Sequence, residues 1–167
     1  MQNPTFEPSN FLNALVPMQI NPFQAIFPRF DLIDSPDVFC EGAKDRYAAY
    51  QAAGLFTSCP QSALYIYQIA DHQRRHTGLV AMNNVEDFFG GKVKKHEKTL
   101  SEKEQQQVQL FLQWEAVLKP VLLTYPPVAP IAEWLDRYVR RHKPIFSTQF
   151  SKSHRHPRAC AVSAQEE

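Results

Sequence analysis

The sequence has few glycines, no paired cysteines and almost no net charge, and each shortage excludes a class of protein. None of its five glycines belongs to a G-x-x-x-x-G-K-[ST] string, so no Walker-type phosphate loop is expected. The three cysteines, Cys40, Cys59 and Cys160, are odd in number and form no C-x-x-C pair, which argues against a disulfide framework or a zinc site. A formal net charge of +1 gives no strong field to attract nucleic acid or an anionic membrane.

Long apolar runs are also missing, so no segment is predicted to span a bilayer. Residues 1–10 are polar with two prolines and do not have the charged-then-apolar pattern of a signal peptide. These two observations predict a cytoplasmic protein without a membrane partner. Apolar residues make up 44% of the 167, which is enough for the core of one domain.

The patterns that are present predict an α/β (α+β) fold, with a mixed sheet and flanking helices. Apolar spacing of 3.6 residues predicts helices over 41–53, 101–118 and 131–139. The longest of them is expected to begin with a capping box of Ser101 and Glu104. Strands are predicted at 63–69 and 77–82, forming an antiparallel hairpin, at 92–95, at 121–125 as a buried central strand, and at 144–150.

Composition divides the chain into three parts. Six of the 13 prolines lie in the first forty residues, which are therefore expected to be extended pieces and turns. We interpret residues 1–15 as an N-terminal extension and 16–150 as the main domain. Residues 151–158 are basic without apolar periodicity, so 151–167 is predicted to be a disordered or loosely attached tail.

One short polar segment stands out as a candidate site. It lies between a glycine-broken strand and the start of a predicted helix, where orphan N–H groups and a positive dipole end favour an anion. One reading makes it a phosphate or carboxylate site, with Glu97 as a base or magnesium ligand. The other reading, which spacing alone favours, is a solvated loop that caps the helix. The segment consists of Lys94, Lys95, His96, Glu97, Lys98 and Thr99.

Other chemistry-bearing residues have simpler interpretations. His72 and His76 have the i, i+4 spacing of metal ligands but fall in a predicted turn, so no metal site is expected. Aromatic residues do not alternate with basic ones on any predicted strand, which argues against nucleic-acid binding. Glu41 beside Cys40 is expected to raise the pKa of that thiol rather than activate it.

Several stretches resemble, in order, a bacterial family of proteins of unknown function, DUF1015, which has a ParB/sulfiredoxin-like fold. The resemblance spans roughly residues 16–150, and its distinctive part is the H-E-x-T turn with the acidic helix start that comes after it. The matching stretches are 22–28, 63–67, 77–80, 93–99, 102–104 and 120–125.

Members of this family are similar to free-serine kinases, which phosphorylate L-serine with a nucleotide. The resemblance therefore implies a small-molecule kinase, with free serine as substrate and ATP or ADP with magnesium as cofactors of the parent protein. It also makes the Lys94–Thr99 turn part of the active cleft. From residue chemistry, Lys95 and His96 would contact ligand, and Glu97 would orient it or act as acid or base.

The sequence departs from the family at one motif. Family proteins carry an Asp-Gly-His-His-Arg string beyond the region that matches Phe150, and no such string occurs here. This difference predicts a truncated, inactive kinase-like chain, and the alternative is a non-enzymatic anion-binding or interaction module. An unpaired sheet edge at 143–150 would then favour self-association.

Overall fold

The computed structural model describes residues 18–94, 100–117 and 120–162, and it has the predicted α+β class. In chain order the elements are β1 Ile20–Asn21, β2 Ile26–Pro28, a 3₁₀ turn Phe30–Leu32, α1 Pro36–Ala52, β3 Phe56–Ser58, β4 Leu64–Ala70, β5 Arg75–Val80, β6 Met82–Asn83, α2 Val85–Phe89, α3 Ser101–Trp114, α4 Ala129–Arg141, β7 Phe146–Ser147 and β8 His156–Val162.

The main sheet has four strands in the order β5-β4-β8-β7, with β4 and β8 at its centre. The predicted hairpin is confirmed, because β4 pairs with β5 in antiparallel register from Tyr65 opposite Val80 to Ala70 opposite Arg75. Every strand pair in the described part of the chain is antiparallel, so a mixed sheet does not form there. The short strand β7 lies at one edge, within the segment where the sequence placed an exposed edge.

The prediction of disorder after Phe150 is wrong for β8. This strand pairs with β4 over seven residues, from Leu64 opposite Val162 to Ala70 opposite His156. Ala159 and Cys160 are almost fully buried. The segment begins with basic residues, which led to the prediction of disorder, but a short apolar run comes after them. An interior strand of a sheet needs such an apolar run.

The prediction of a central strand at 121–125 is also wrong. These residues form no regular structure, and Val121 and Leu122 remain 82% and 81% exposed. Pro120 lies before this segment and two prolines come after it, so donors for a strand ladder are missing at both ends. The central place belongs to β8 instead.

Helix starts differ from the predictions for local reasons. The helix predicted from residue 41 begins at Pro36, because Ser35 caps it by accepting a hydrogen bond from the Val38 N–H at 3.4 Å. The capping box at Ser101 is absent, since Leu100 is the N-cap of α3 and no side chain caps that end. Residues Val85–Phe89 form the short helix α2. Residues 91–93 form a turn and bends rather than the start of the strand predicted at 92–95.

Apolar packing covers both faces of the main sheet. On one face, α4 buries Leu135, Tyr138 and Val139, which have the i, i+3, i+4 spacing, against Ile66 and Cys160. On the other face, Tyr65 packs with residues of the N-terminal pieces, chiefly Phe27 and Ala63. No helix among the described residues is long and apolar enough to cross a bilayer.

Candidate functional site

The predicted anion-binding turn can be placed only at its first residue. Lys94 is exposed, and its ammonium lies 3.8 Å from the point where a Cβ on Gly91 would be. Lys95, His96, Glu97, Lys98 and Thr99 lie outside the described residues. The structure therefore fixes where this turn begins and leaves its chemistry a prediction.

The chain before this turn is anchored by one buried carboxylate. Asp87 is 4% exposed, and its carboxylate lies 2.7 Å from the Lys92 ammonium. It also accepts hydrogen bonds from the Gln19 N–H at 3.1 Å and the Asn83 side chain at 3.2 Å. The hydrogen bond from Lys92 is the main reason that the pKa of Asp87 lies below its usual value. Lys92 therefore has a structural partner, whereas no ion pair among the described residues includes Lys94.

A pocket of about 330 Å³ lies between the start of α1 and one end of the main sheet. We call it the α1–β8 pocket. It is lined by α1 (Asp37, Cys40, Glu41), by β4 (Tyr67, Ile69) and by the segment leading into β8 (Phe150, Ser153, Arg155, Pro157). Its volume is in the range of small-molecule sites, and it combines apolar walls with a few polar groups.

The pocket contains a phenol and a thiol that are held in their neutral forms. Burial raises the pKa of the half-buried Tyr67, and the nearby Cys40 adds to this effect. Partial desolvation likewise raises the pKa of Cys40, with a smaller contribution from the charge of Asp37. The predicted direction for Cys40 is therefore confirmed, although its causes are burial and Asp37 rather than Glu41. The Tyr67 hydroxyl has no hydrogen-bond partner among the described residues, so it is available to a ligand.

Acidic residues of α1 hold the turn that covers one side of the pocket. The carboxylate of Asp37 accepts hydrogen bonds from the Ser151 N–H at 2.7 Å and from the Lys152 N–H at 3.3 Å. Lys152 in turn lies 2.6 Å from Glu41, and this contact raises the pKa of the lysine. One helix therefore fixes a turn that is more than a hundred residues away in sequence.

The same end of the sheet carries a group of arginines and histidines that sequence reasoning treated separately. Ala70 of β4 is paired with Arg75 on one side and with His156 on the other. The turns next to these residues come together, and the rings of His72 and His154 lie 5.6 Å apart. Residues 71–76 and 151–156 are all exposed. In the sequence, the only sign of this group is that His and Arg occur together in two distant segments. That pattern becomes informative only when the register of β4 with β5 and β8 shows that the two segments are neighbours.

With this geometry established, the comparisons with known proteins place the chain in a family. A family model described as "Protein of unknown function (DUF1015)" matches residues 19–167, which is most of the chain. The chain is a DUF1015 protein. No curated protein and no solved structure matches it.

The DUF1015 match includes the segment that the sequence suggested was a tail, in agreement with the position of β8 at the centre of the sheet. It also includes both walls of the α1–β8 pocket. Within the described ranges, no group of three or more His, Cys, Asp or Glu side chains is arranged to hold a metal ion.

Proposed function

We propose that this DUF1015 chain binds a small hydroxyl-bearing, amino-acid-like substrate in the α1–β8 pocket, as the acceptor site of a nucleotide-dependent phosphoryl-transfer domain. The observation that supports the proposal most directly is the pocket itself, which combines opposite charges on its rim with a neutral phenol inside. The likeness to ParB/sulfiredoxin-like free-serine kinases, with ATP or ADP and magnesium as donor and cofactor, is part of the same proposal.

Each group in the pocket matches one part of a small amino acid. The carboxylate of Glu41, one oxygen of which is paired with Lys152, would attract an ammonium group through its other oxygen, and Arg155 would attract a carboxylate or a phosphoryl group. The available Tyr67 hydroxyl would form a hydrogen bond with the substrate hydroxyl. Ile69 and Pro157 limit the space available to a larger apolar side chain. Free L-serine fits this description, and Glu97 keeps its proposed role in orienting the substrate or accepting its proton.

Ligand-induced stabilisation tests the acceptor site. L-serine at a hundred times its dissociation constant would stabilise the fold by about 2.7 kcal/mol, which a thermal melt detects. L-alanine should stabilise the protein much less, because it cannot bond to the Tyr67 hydroxyl. Tyr67→Phe should remove the difference between the two ligands. Tyr125→Phe, at a position 61% exposed, is the matched control and should retain it. Equal stabilisation by serine and alanine in the wild type would reject the proposal.

Phosphoryl transfer requires its own measurement. The protein is incubated with L-serine, magnesium and either ATP or ADP, and phosphoserine is sought by ³¹P NMR. Because the sequence has no Asp-Gly-His-His-Arg string, we expect binding without detectable turnover from this chain. Turnover that requires Tyr67 would support the kinase assignment and contradict the expectation of inactivity.

The alternative is an anion-binding module that uses the Lys94–Thr99 turn without catalysis. Lys94 favours this candidate, because it is exposed and belongs to no ion pair among the described residues. The neighbouring Lys92, in contrast, is already paired with Asp87. It predicts that phosphate compounds stabilise the protein and that Lys95→Ala with His96→Ala abolishes the effect. Lys103→Ala on the exposed surface of α3 serves as the control. If serine binds and phosphate stabilisation survives the double substitution, this alternative is rejected.

A further inference from the structure

The end of the main sheet next to the α1–β8 pocket is rich in cationic side chains that form no ion pair within the described part of the chain. Arg75 opens β5 with Arg74 directly before it, and Arg155 precedes β8. None of the ion pairs among the described residues includes any of the three. Guanidinium groups that are exposed, lie on adjacent turns and are outside ion pairs are suited to bidentate contacts with phosphate oxygens.

Two hydrogen-bonded turns fix the backbone on which these residues lie. In the first turn, the Asp71 carboxylate accepts hydrogen bonds from the Gln73 and Arg74 N–H groups, at 2.9 Å and 2.7 Å. In the second, the Phe150 N–H bonds to the Arg155 carbonyl at 2.8 Å, and His154 adopts a left-handed conformation with φ of 52°. The anchoring of this turn by Asp37 adds a third constraint. The positive groups are therefore carried by ordered backbone rather than by a loose tail.

Contacts between the two turns show that they form one surface. The rings of His72 and His154 lie 5.6 Å apart. The pKa of Asp71 is lowered first by its two backbone hydrogen bonds and then by the charges of His76 and Arg155. Arg155 therefore reaches the β4–β5 turn from the opposite strand. Asp71 offsets one of the three guanidinium charges, which leaves an excess of positive charge at this end.

We propose that this surface, which we call the arginine–histidine end, binds the oligophosphate of a small molecule such as a nucleoside triphosphate. This inference rests on the proposed function, because the arginine–histidine end would bind the phosphate donor for the acceptor in the α1–β8 pocket. Arg155 belongs to both surfaces, since it lines the pocket and faces the β4–β5 turn. A phosphate chain held by Arg74 and Arg75 on one turn and by Arg155 on the other would therefore lead towards the pocket.

The charge distribution favours a small ligand over nucleic acid. The positive groups occupy two adjacent turns and end at the pocket, where Asp37 and Glu41 contribute negative charge that Lys152 offsets in part. An extended polyanion would have to pass these carboxylates, whereas a short phosphate chain would not. The net charge of +1 for the whole chain also gives little long-range attraction for a polymer.

The test measures tripolyphosphate and ATP binding by isothermal titration calorimetry, without added metal, at low and at physiological salt. Arg74→Gln combined with Arg75→Gln should weaken both ligands by about tenfold for each guanidinium removed, while L-serine stabilisation is unchanged. Arg140→Gln is the matched control, because Arg140 is an exposed arginine on α4 that is paired with Asp136. The control should bind like the wild type.

Each result has a distinct meaning. Loss of tripolyphosphate binding in the double variant, with the control intact, supports the assignment even if serine fails to bind, in which case only the acceptor proposal falls. Serine binding without tripolyphosphate binding overturns the present inference and leaves the acceptor proposal standing. Equal weakening by Arg140→Gln, or tighter binding of a single-stranded oligonucleotide than of ATP at physiological salt, also overturns it. Tight ATP binding with weak tripolyphosphate binding would place the main contacts on the nucleoside and would contradict an oligophosphate site.

Discussion

Replacing Ile66 by alanine tests whether β8 and α4 form the core on which the pocket depends. Ile66 is 1% exposed at the centre of β4 and packs with Cys160 of β8 and with three side chains of α4, Leu135, Tyr138 and Val139. The substitution removes three carbon atoms, which correspond to about 2.4 kcal/mol at about 0.8 kcal/mol for each buried CH₂ group. The cavity left between strand and helix raises the expected loss of unfolding free energy to about 3–4 kcal/mol.

Urea unfolding followed by circular dichroism measures this loss, and Ile131→Ala provides the same chemical change as a control. Ile131 lies on α4 but is 45% exposed, so its replacement should cost less than about 1 kcal/mol. A loss below about 1.5 kcal/mol for Ile66→Ala, or equal losses for the two variants, would show that β4, β8 and α4 are not packed as described.

Two further predictions concern titratable groups. The pKa of Asp87 is lowered in the fold, so its contribution to stability is complete above its unfolded pKa of about 3.9 and is lost as pH falls through the folded value. Wild type should therefore lose more stability than Asp87→Asn between pH 6 and pH 2, and parallel losses in urea titrations would refute this. Mass spectrometry after brief treatment with a thiol reagent should find Cys40 modified slowly and Cys160 unmodified until urea is added, because Cys160 is 1% exposed. Modification of Cys160 in the native protein at the rate of Cys40 would contradict its burial.

Local sequence signals predicted those elements whose structure depends on local interactions. The β4–β5 hairpin and the helix around Ile131 to Val139 arise from short-range apolar periodicity, and both are present. Proline was harder to interpret, because Pro36 opens a helix behind a serine cap, whereas Pro120 precedes a segment that forms no strand. A proline in the sequence therefore marked the end of one element, but it did not indicate whether a helix or an irregular segment comes next.

The central strand was misassigned because two segments had comparable apolar character. Residues 121–125 are the more apolar run, yet they lie exposed, while β8 opens with a basic stretch and still enters the core. The apolar periodicity of one segment does not indicate which strand it will pair with, because pairing depends on contacts with distant residues. The arginine–histidine end was missed for the same reason, since His72 and His154 become neighbours only through pairing between distant strands. The anion-binding turn at Lys94 to Thr99 remains a prediction from the sequence.

The position of β8 also affects how the protein is made. The hairpin of β4 and β5 emerges from the ribosome long before residues 156–162, yet β4 needs that late segment to complete its hydrogen bonds on the other side. During synthesis the interior strand of the finished sheet is therefore a temporary edge, open to pairing with other nascent chains. Because its central contacts join residues about ninety positions apart, folding should be slow relative to that of local hairpins and should depend on chaperones at high expression.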